Sequence, residues 1–96
     1  MLLPEFTPIF NRDVKAIARR HHDIEGLRRV MRLVLADDEQ SRDELRRRHR
    51  AHQLTGEWHG AWECHIENSS DLLLIWMRRR DTVIFVRAGS HAALFR

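Results

Sequence analysis

Apolar residues in the first third of the chain recur at helical spacing. Phe10, Val14, Ile17 and Ala18 fall on one face of a 3.6-residue repeat, while Arg12, Lys15, Arg19 and Arg20 lie mostly on the other. Thr7 before Pro8 reads as an N-cap followed by proline at the first helical position, where a missing N–H costs nothing. The pattern predicts an amphipathic helix from Pro8 to about residue 21. Asp23 can cap a second helix, in which Leu27, Val30, Met31 and Val34 form the apolar stripe and Arg28, Arg29 and Arg32 flank it. Joined by the short His21-His22-Asp23 turn, the two helices should form a hairpin.

Residues 36–51 carry little apolar content apart from Leu45 and read as a connecting arm, with at most a turn of helix. Beyond Gln53 the signal changes to short β-type runs punctuated by turn residues. Strands are expected at residues 53–55, 61–66, 72–78 and 82–87, with a further short one at 2–6. Alternation places Trp62, Cys64 and Ile66 on one face of the second strand, with Glu63 and His65 on the other. In the last strand Ile84 and Val86 alternate with Val83, Phe85 and Arg87, and Arg87 is expected to point away from the helices. The resulting fold class is α+β: an N-terminal helical hairpin packed on one face of a small, twisted, mainly antiparallel sheet of four to five strands. The other face is left open to carry a site.

Composition narrows the picture. With 96 residues, 43% of them hydrophobic and 32% charged, the chain suits one globular domain spanning residues 1–96. No apolar run approaches the roughly 20 residues that span a bilayer. The first ten residues contain Glu5 and two prolines and lack the basic start of a signal peptide, so no membrane partner is expected. Cys64 stands alone, which excludes an internal disulfide and points to a reducing cytoplasm. Basic residues number 17 against 14 acidic ones, and Lys15 is the sole lysine. The sequence pI is near 10.4. A polyanion is therefore the natural partner, and arginine's planar fork suits phosphate.

Candidate chemistry lies in the C-terminal half, where His52, His59, His65 and His91 fall near strands or turns. Their spacing matches no metal motif, and no phosphate-binding loop, nucleophile elbow or dinucleotide fingerprint is present, so no metal or cofactor is expected. Imidazoles, arginines and one or two carboxylates on a basic scaffold suit the cleavage of RNA. An imidazole with a pKa of ~6.5 can take a proton from a 2′-OH or give one to the leaving 5′-oxygen. An arginine can stabilise the charge that develops on phosphorus-bound oxygen.

Three segments, "HQLTGEWHGAWECHIE", "DLLLIW" and "VRAGSHAALF", carry a likeness in order and spacing. In them the chain resembles the YafQ-type branch of the RelE/ParE toxin superfamily, ribosome-dependent mRNA interferases of bacterial toxin–antitoxin pairs. The resemblance implies catalytic roles for His52, His65, Asp71, Arg87 and His91, with Arg87 also binding phosphate and Phe95 supplying a C-terminal aromatic. It further implies cleavage of mRNA in the ribosomal A site by attack of its own 2′-OH. A cognate antitoxin is the implied protein partner, and operator DNA would be reached only through it. The basic run containing Arg48 and Arg50 is a candidate for contact with ribosomal RNA.

Two departures from the family pattern stand out. The loop "NSSDL" is longer by about two residues, and Leu72 occupies a position where tryptophan is expected. Glu67 or Glu63 can therefore replace Asp71 as the carboxylate, and the general base stays open between Asp71 and His65. The alternative function on the same fold is non-catalytic, either gyrase inhibition or RNA binding. Within the last segment, Gly89 permits a turn after which His91 and Phe95, four residues apart, face the same way.

Overall fold

The computed structural model describes residues 1–20, 24–67 and 71–95. The chain order is β1 (Leu3–Phe6), α1 (Pro8–Arg20), α2 (Ile24–Ala36), α3 (Glu39–His49), β2 (His52–Gln53), a 3₁₀ turn (Gly56–Trp58), β3 (Ala61–His65), β4 (Leu72–Arg79), β5 (Thr82–Ser90) and α4 (His91–Leu94). The strands form one five-stranded sheet in the order β1-β5-β4-β3-β2. β1 runs parallel to β5, and the other pairs are antiparallel. The fold is thus α+β, with three helices against a mixed sheet.

Helix α1 starts as its sequence predicts. Thr7 Oγ1 accepts from the Phe10 N–H at 2.9 Å and donates to the Val86 carbonyl at 2.8 Å, so the cap also ties the helix to β5. Phe10 and Ile17 from α1, and Leu27, Val30 and Val34 from α2, are buried against Cys64, Ile66, Leu72, Leu74, Trp76, Val83 and Phe85 of the sheet. The expected His21-His22-Asp23 turn and the Asp23 cap lie outside the described residues.

The expected connecting arm is instead the helix α3. Asp38 caps it by accepting from the Ser41 N–H at 2.7 Å, and Arg50 ends it in the left-handed conformation. Ser41, Leu45 and His49, spaced four apart, are its buried stripe. Serine and histidine do not count as apolar in a pattern search, which hid this face. The outer face is held by ion pairs of Arg46 and Arg47 with Asp43 and of Arg48 with Glu44. Exposed pairs of this spacing add only about 0.3–0.5 kcal/mol each.

The central strand β4 is buried on both faces from Leu72 to Trp76, which explains an unbroken apolar run in place of alternation. Its helix-facing residues belong to the main core. On the opposite face Leu73 and Ile75 join Ala61 and Leu94 in a second, smaller core, edged by Leu54, Trp58, Val86 and Phe95. The face expected to be open is therefore partly covered, by α4 and the 3₁₀ turn.

Candidate functional site

Register places the candidates on that second face in two rows. One row runs His52, Glu63, Ile75, Arg87 across β2 to β5, and the next runs His65, Leu73, Gly89. At a strand spacing of about 4.8 Å and a rise of about 3.4 Å per residue, the Cα atoms of His65 and Arg87 stand about 12 Å apart.

Arg87 reaches this face by a route the alternation pattern does not predict. Val83 and Phe85 lie in the helix-side core, and strict alternation would send Arg87 after them. A register shift opposite Ile75 and Trp76 inserts Val86 as an extra residue, so Trp76 pairs with Phe85 and Ile75 with Arg87. The bulge turns Arg87 to the second face. Its guanidinium, however, does not point away from the helices. It leans over the sheet edge to Asp13 of α1, with Nε donating to Oδ2 at 2.8 Å and Nη2 to Oδ1 at 3.1 Å. This hydrogen-bonded carboxylate raises the pKa of Arg87 above its ordinary value, with burial opposing and the Asp13 charge assisting.

At the other side of the face, the backbone carbonyl of Arg50 accepts from His52 Nδ1 at 2.8 Å. A carbonyl can only accept, so this bond fixes that nitrogen as the protonated one. His52 Nε2 lies 3.6 Å from Oε1 of Glu63, whose side chain is buried. His65, half-buried beside them, has its pKa pushed below the ordinary imidazole value. Burial is the main cause, followed by the Arg50 charge; Glu63 and Asp71 act in the opposite sense, and His52 adds to the lowering. Arg50, His52, Glu63, His65 and Asp71 are thus close enough for their fields to meet. Arg48 is not among them, being exposed on α3 beside Glu44.

Helix α4 supplies the third group. Gly89 remains in β5, and the chain turns at Ser90, whose Oγ accepts from the Ala93 N–H at 3.1 Å. Leu94 then packs onto Gly89, where a Cβ would stand 3.5 Å from Leu94 Cδ2. The rings of His91 and Phe95 lie 5.0 Å apart, so the expected shared facing holds. Trp58 meets Phe95 edge-on at 6.0 Å. Leu72 lies buried in the helix-side core, so it offers no surface for stacking, and Trp62 stacks on Trp76 on that same side.

Two contributors, Asp13 and His49, are not legible as site residues in the sequence, and Glu63 is legible there only as a substitute for Asp71. Asp13 holds Arg87. Glu63 is a buried carboxylate facing His52. His49, buried at the end of α3, donates from Nδ1 to the His65 carbonyl at 2.9 Å and so anchors β3 from behind. The spacing of Ser41, Leu45 and His49 is the one clue that could have revealed it. Cys64, fully buried next to His65, faces the main core, and burial pushes its thiol well above the ordinary range, which keeps it out of the chemistry. Among the described residues no group of three or more His, Cys, Asp or Glu side chains could hold a metal ion. No helix among them is long and apolar enough to cross a membrane.

Helices on one face of a mixed sheet, with imidazoles, carboxylates and a guanidinium on the other, define a RelE-like α+β protein. The family described as "Bacterial toxin of type II toxin-antitoxin system, YafQ" matches residues 3–96, and the chain belongs to it. The mRNA interferase toxin YafQ of Escherichia coli K12 is 32% identical over 91 residues, which cover 95% of this chain and 92% of that one. The crystal structure of YafQ from E. coli BL21(DE3) superposes with a TM-score of 0.85 at 29% identity over the whole of both chains. YafQ in the E. coli DinJ–YafQ complex does so with a TM-score of 0.82 at 30% identity, again over both whole chains.

Proposed function

We propose that this chain is an endoribonuclease toxin that cleaves mRNA in the ribosomal A site by metal-independent acid–base chemistry. The reading is supported by membership of the YafQ family, together with a register that puts His65 and Arg87 on one sheet face and a ring contact that sets His91 against Phe95, which edges the core on that face. A depressed pKa keeps His65 neutral at pH 7, the form in which it can accept a proton. In the step proposed, the 2′-OH attacks the adjacent phosphorus and its proton passes to the base, His65 or Asp71. The P–O5′ bond breaks, and His91 gives a proton to the departing 5′-oxygen. A 2′,3′-cyclic phosphate and a 5′-hydroxyl result. Arg87 meets the charge that builds on the phosphoryl oxygens, a role in which a fixed donor is worth more than one in water. His52, oriented by Arg50 and Glu63, assists.

The cognate partner proposed is an antitoxin whose acidic segment covers this basic chain, as fits an excess of 17 basic over 14 acidic residues. The protein would then act in the cytoplasm, where its ribosomal target lies. Primer extension on cellular mRNA after a short pulse of expression tests the reading. Codon-phased 5′ ends support it. DNA damage without such ends would replace it with gyrase inhibition.

A further inference from the structure

Helix α1 reaches the site through a residue with no role in the reaction above. Asp13 Oδ2 accepts from Arg87 Nε at 2.8 Å and also from the Ala88 backbone N–H at 3.0 Å, while Oδ1 accepts from Arg87 Nη2 at 3.1 Å. The reason lies in the sheet edge. β1 pairs with β5 only as far as Phe6 opposite Phe85, so the edge beyond that point has lost its partner strand. The Asp13 carboxylate takes the place of a strand carbonyl there. Six residues upstream, at the N-cap of α1, Thr7 grips the carbonyl of Val86, the extra residue of the bulge. The bulge that turns Arg87 to the catalytic face is thus held at both ends by one helix.

The mode of pairing decides which donors are left. A guanidinium has five N–H donors in a rigid plane. Asp13 engages the side edge, Nε and Nη2, and no other acceptor among the described residues takes a bond from Arg87. One N–H on Nη1 and one on Nη2 remain parallel along the end edge, the arrangement that grips two oxygens of a phosphate. The pair is largely shielded, with 26% of the Arg87 side chain and 14% of Asp13 exposed. An arginine fixed before substrate arrives loses little rotamer freedom on meeting it.

We propose that Asp13 is a positioning residue, holding the Arg87 guanidinium by its side edge so that its end edge is presented to the scissile phosphate. This rests on the reading of Arg87 as the phosphate-holding group. It acts through Arg87 and touches no reacting atom.

Single-turnover cleavage of ribosome-bound mRNA by wild type, D13N, D13E, R87A and D13N/R87A tests the proposal, together with the Arg87 Nε–H resonance of the folded proteins that keep Arg87. Asparagine keeps an oxygen for the Ala88 N–H but removes the charge and one acceptor. D13N should lower the cleavage rate about tenfold or more, with apparent KM within about twofold. In the R87A background the same change should have no further effect, and D13E should restore part of the rate. The slowly exchanging Nε–H signal of wild type should be lost in D13N. Cleavage by D13N as fast as wild type, or losses that multiply in the double variant, would overturn the assignment. If the wild type cuts no mRNA, the nuclease reading fails by itself, and retention of the Nε–H signal in D13N would separately refute the clamp. If D13N cannot be purified, D13E carries the test: an unshifted Nε–H signal with an undiminished rate would show that carboxylate placement is irrelevant.

Discussion

Thr7→Ala should destabilise the fold by about 2 kcal/mol, and the structure shows why. The hydroxyl caps α1 by accepting from the Phe10 N–H and donates in turn to the Val86 carbonyl at the β5 bulge. Loss of an N-cap costs about 1 kcal/mol, and a part-buried carbonyl stripped of its donor adds about 1 kcal/mol more. In a domain of 96 residues each kcal/mol moves Tm by about 4–8 °C, so a fall of about 8–16 °C is expected. Urea titration followed by circular dichroism gives the free energy, and a thermal scan gives the midpoint. Thr7→Ser retains both bonds and should stay within about 0.5 kcal/mol of wild type. A T7A protein within 0.5 kcal/mol of wild type, or a T7S protein as unstable as T7A, would refute this account of how α1 is joined to the bulge.

Two further outcomes follow from burial and charge. In the folded state His65 should titrate below the ordinary imidazole value of about 6.5. The unfolded chain then binds more protons between the two values, so the contribution of His65 to stability is complete above pH ~6.5 and is lost as pH falls toward its folded pKa. An NMR titration midpoint at or above 6.5 would show that burial and Arg50 do not control this ring. Cys64 should resist a thiol-specific disulfide reagent in the native protein and react once urea unfolds it, because it is fully buried with a raised pKa. Rapid native-state labelling would contradict the core packing of β3.

Much of the architecture is legible in the pattern of residues. Helical spacing in α1 and α2, the Thr7-Pro8 start and the alternation of β3 each follow from short-range rules, and each appears where those rules put it. The helix α3 escaped because two of the three residues in its stripe, Ser41 and His49 around Leu45, are polar, and their burial depends on tertiary partners such as the His65 carbonyl. The bulge escaped for a related reason. Nothing local in "VIFVRAG" marks Val86 as the extra residue; the shift is imposed by pairing with β4 and by grips from α1.

For the site, the residues themselves bring His52, His65, Arg87 and His91 forward as candidates, and likeness to the YafQ pattern assigns their roles and adds Asp71 and Phe95. The coordinates add physical reasons for some of them. Arg50 and Glu63 surround His52, Asp13 fixes Arg87, and Ser90 caps the turn that carries His91. The partner Asp13 could not be chosen from the chain alone, and Glu63 could be named only as a substitute for Asp71, not as the partner of His52. Asp13 lies 74 residues from Arg87, and Glu63 reads as one more strand carboxylate until its burial against His52 is seen.

The central claim is that this face cuts mRNA on the ribosome with His91 as the acid. Purified ribosomes programmed with a defined message, mixed with wild type or H91A, test it most directly. The wild type should yield a cut within the A-site codon, bearing a 2′,3′-cyclic phosphate and a 5′-hydroxyl. H91A should cleave about 10²- to 10⁴-fold more slowly, the usual contribution of a positioned acid or base. An uncut message with the wild type, or an undiminished rate with H91A, would contradict the account.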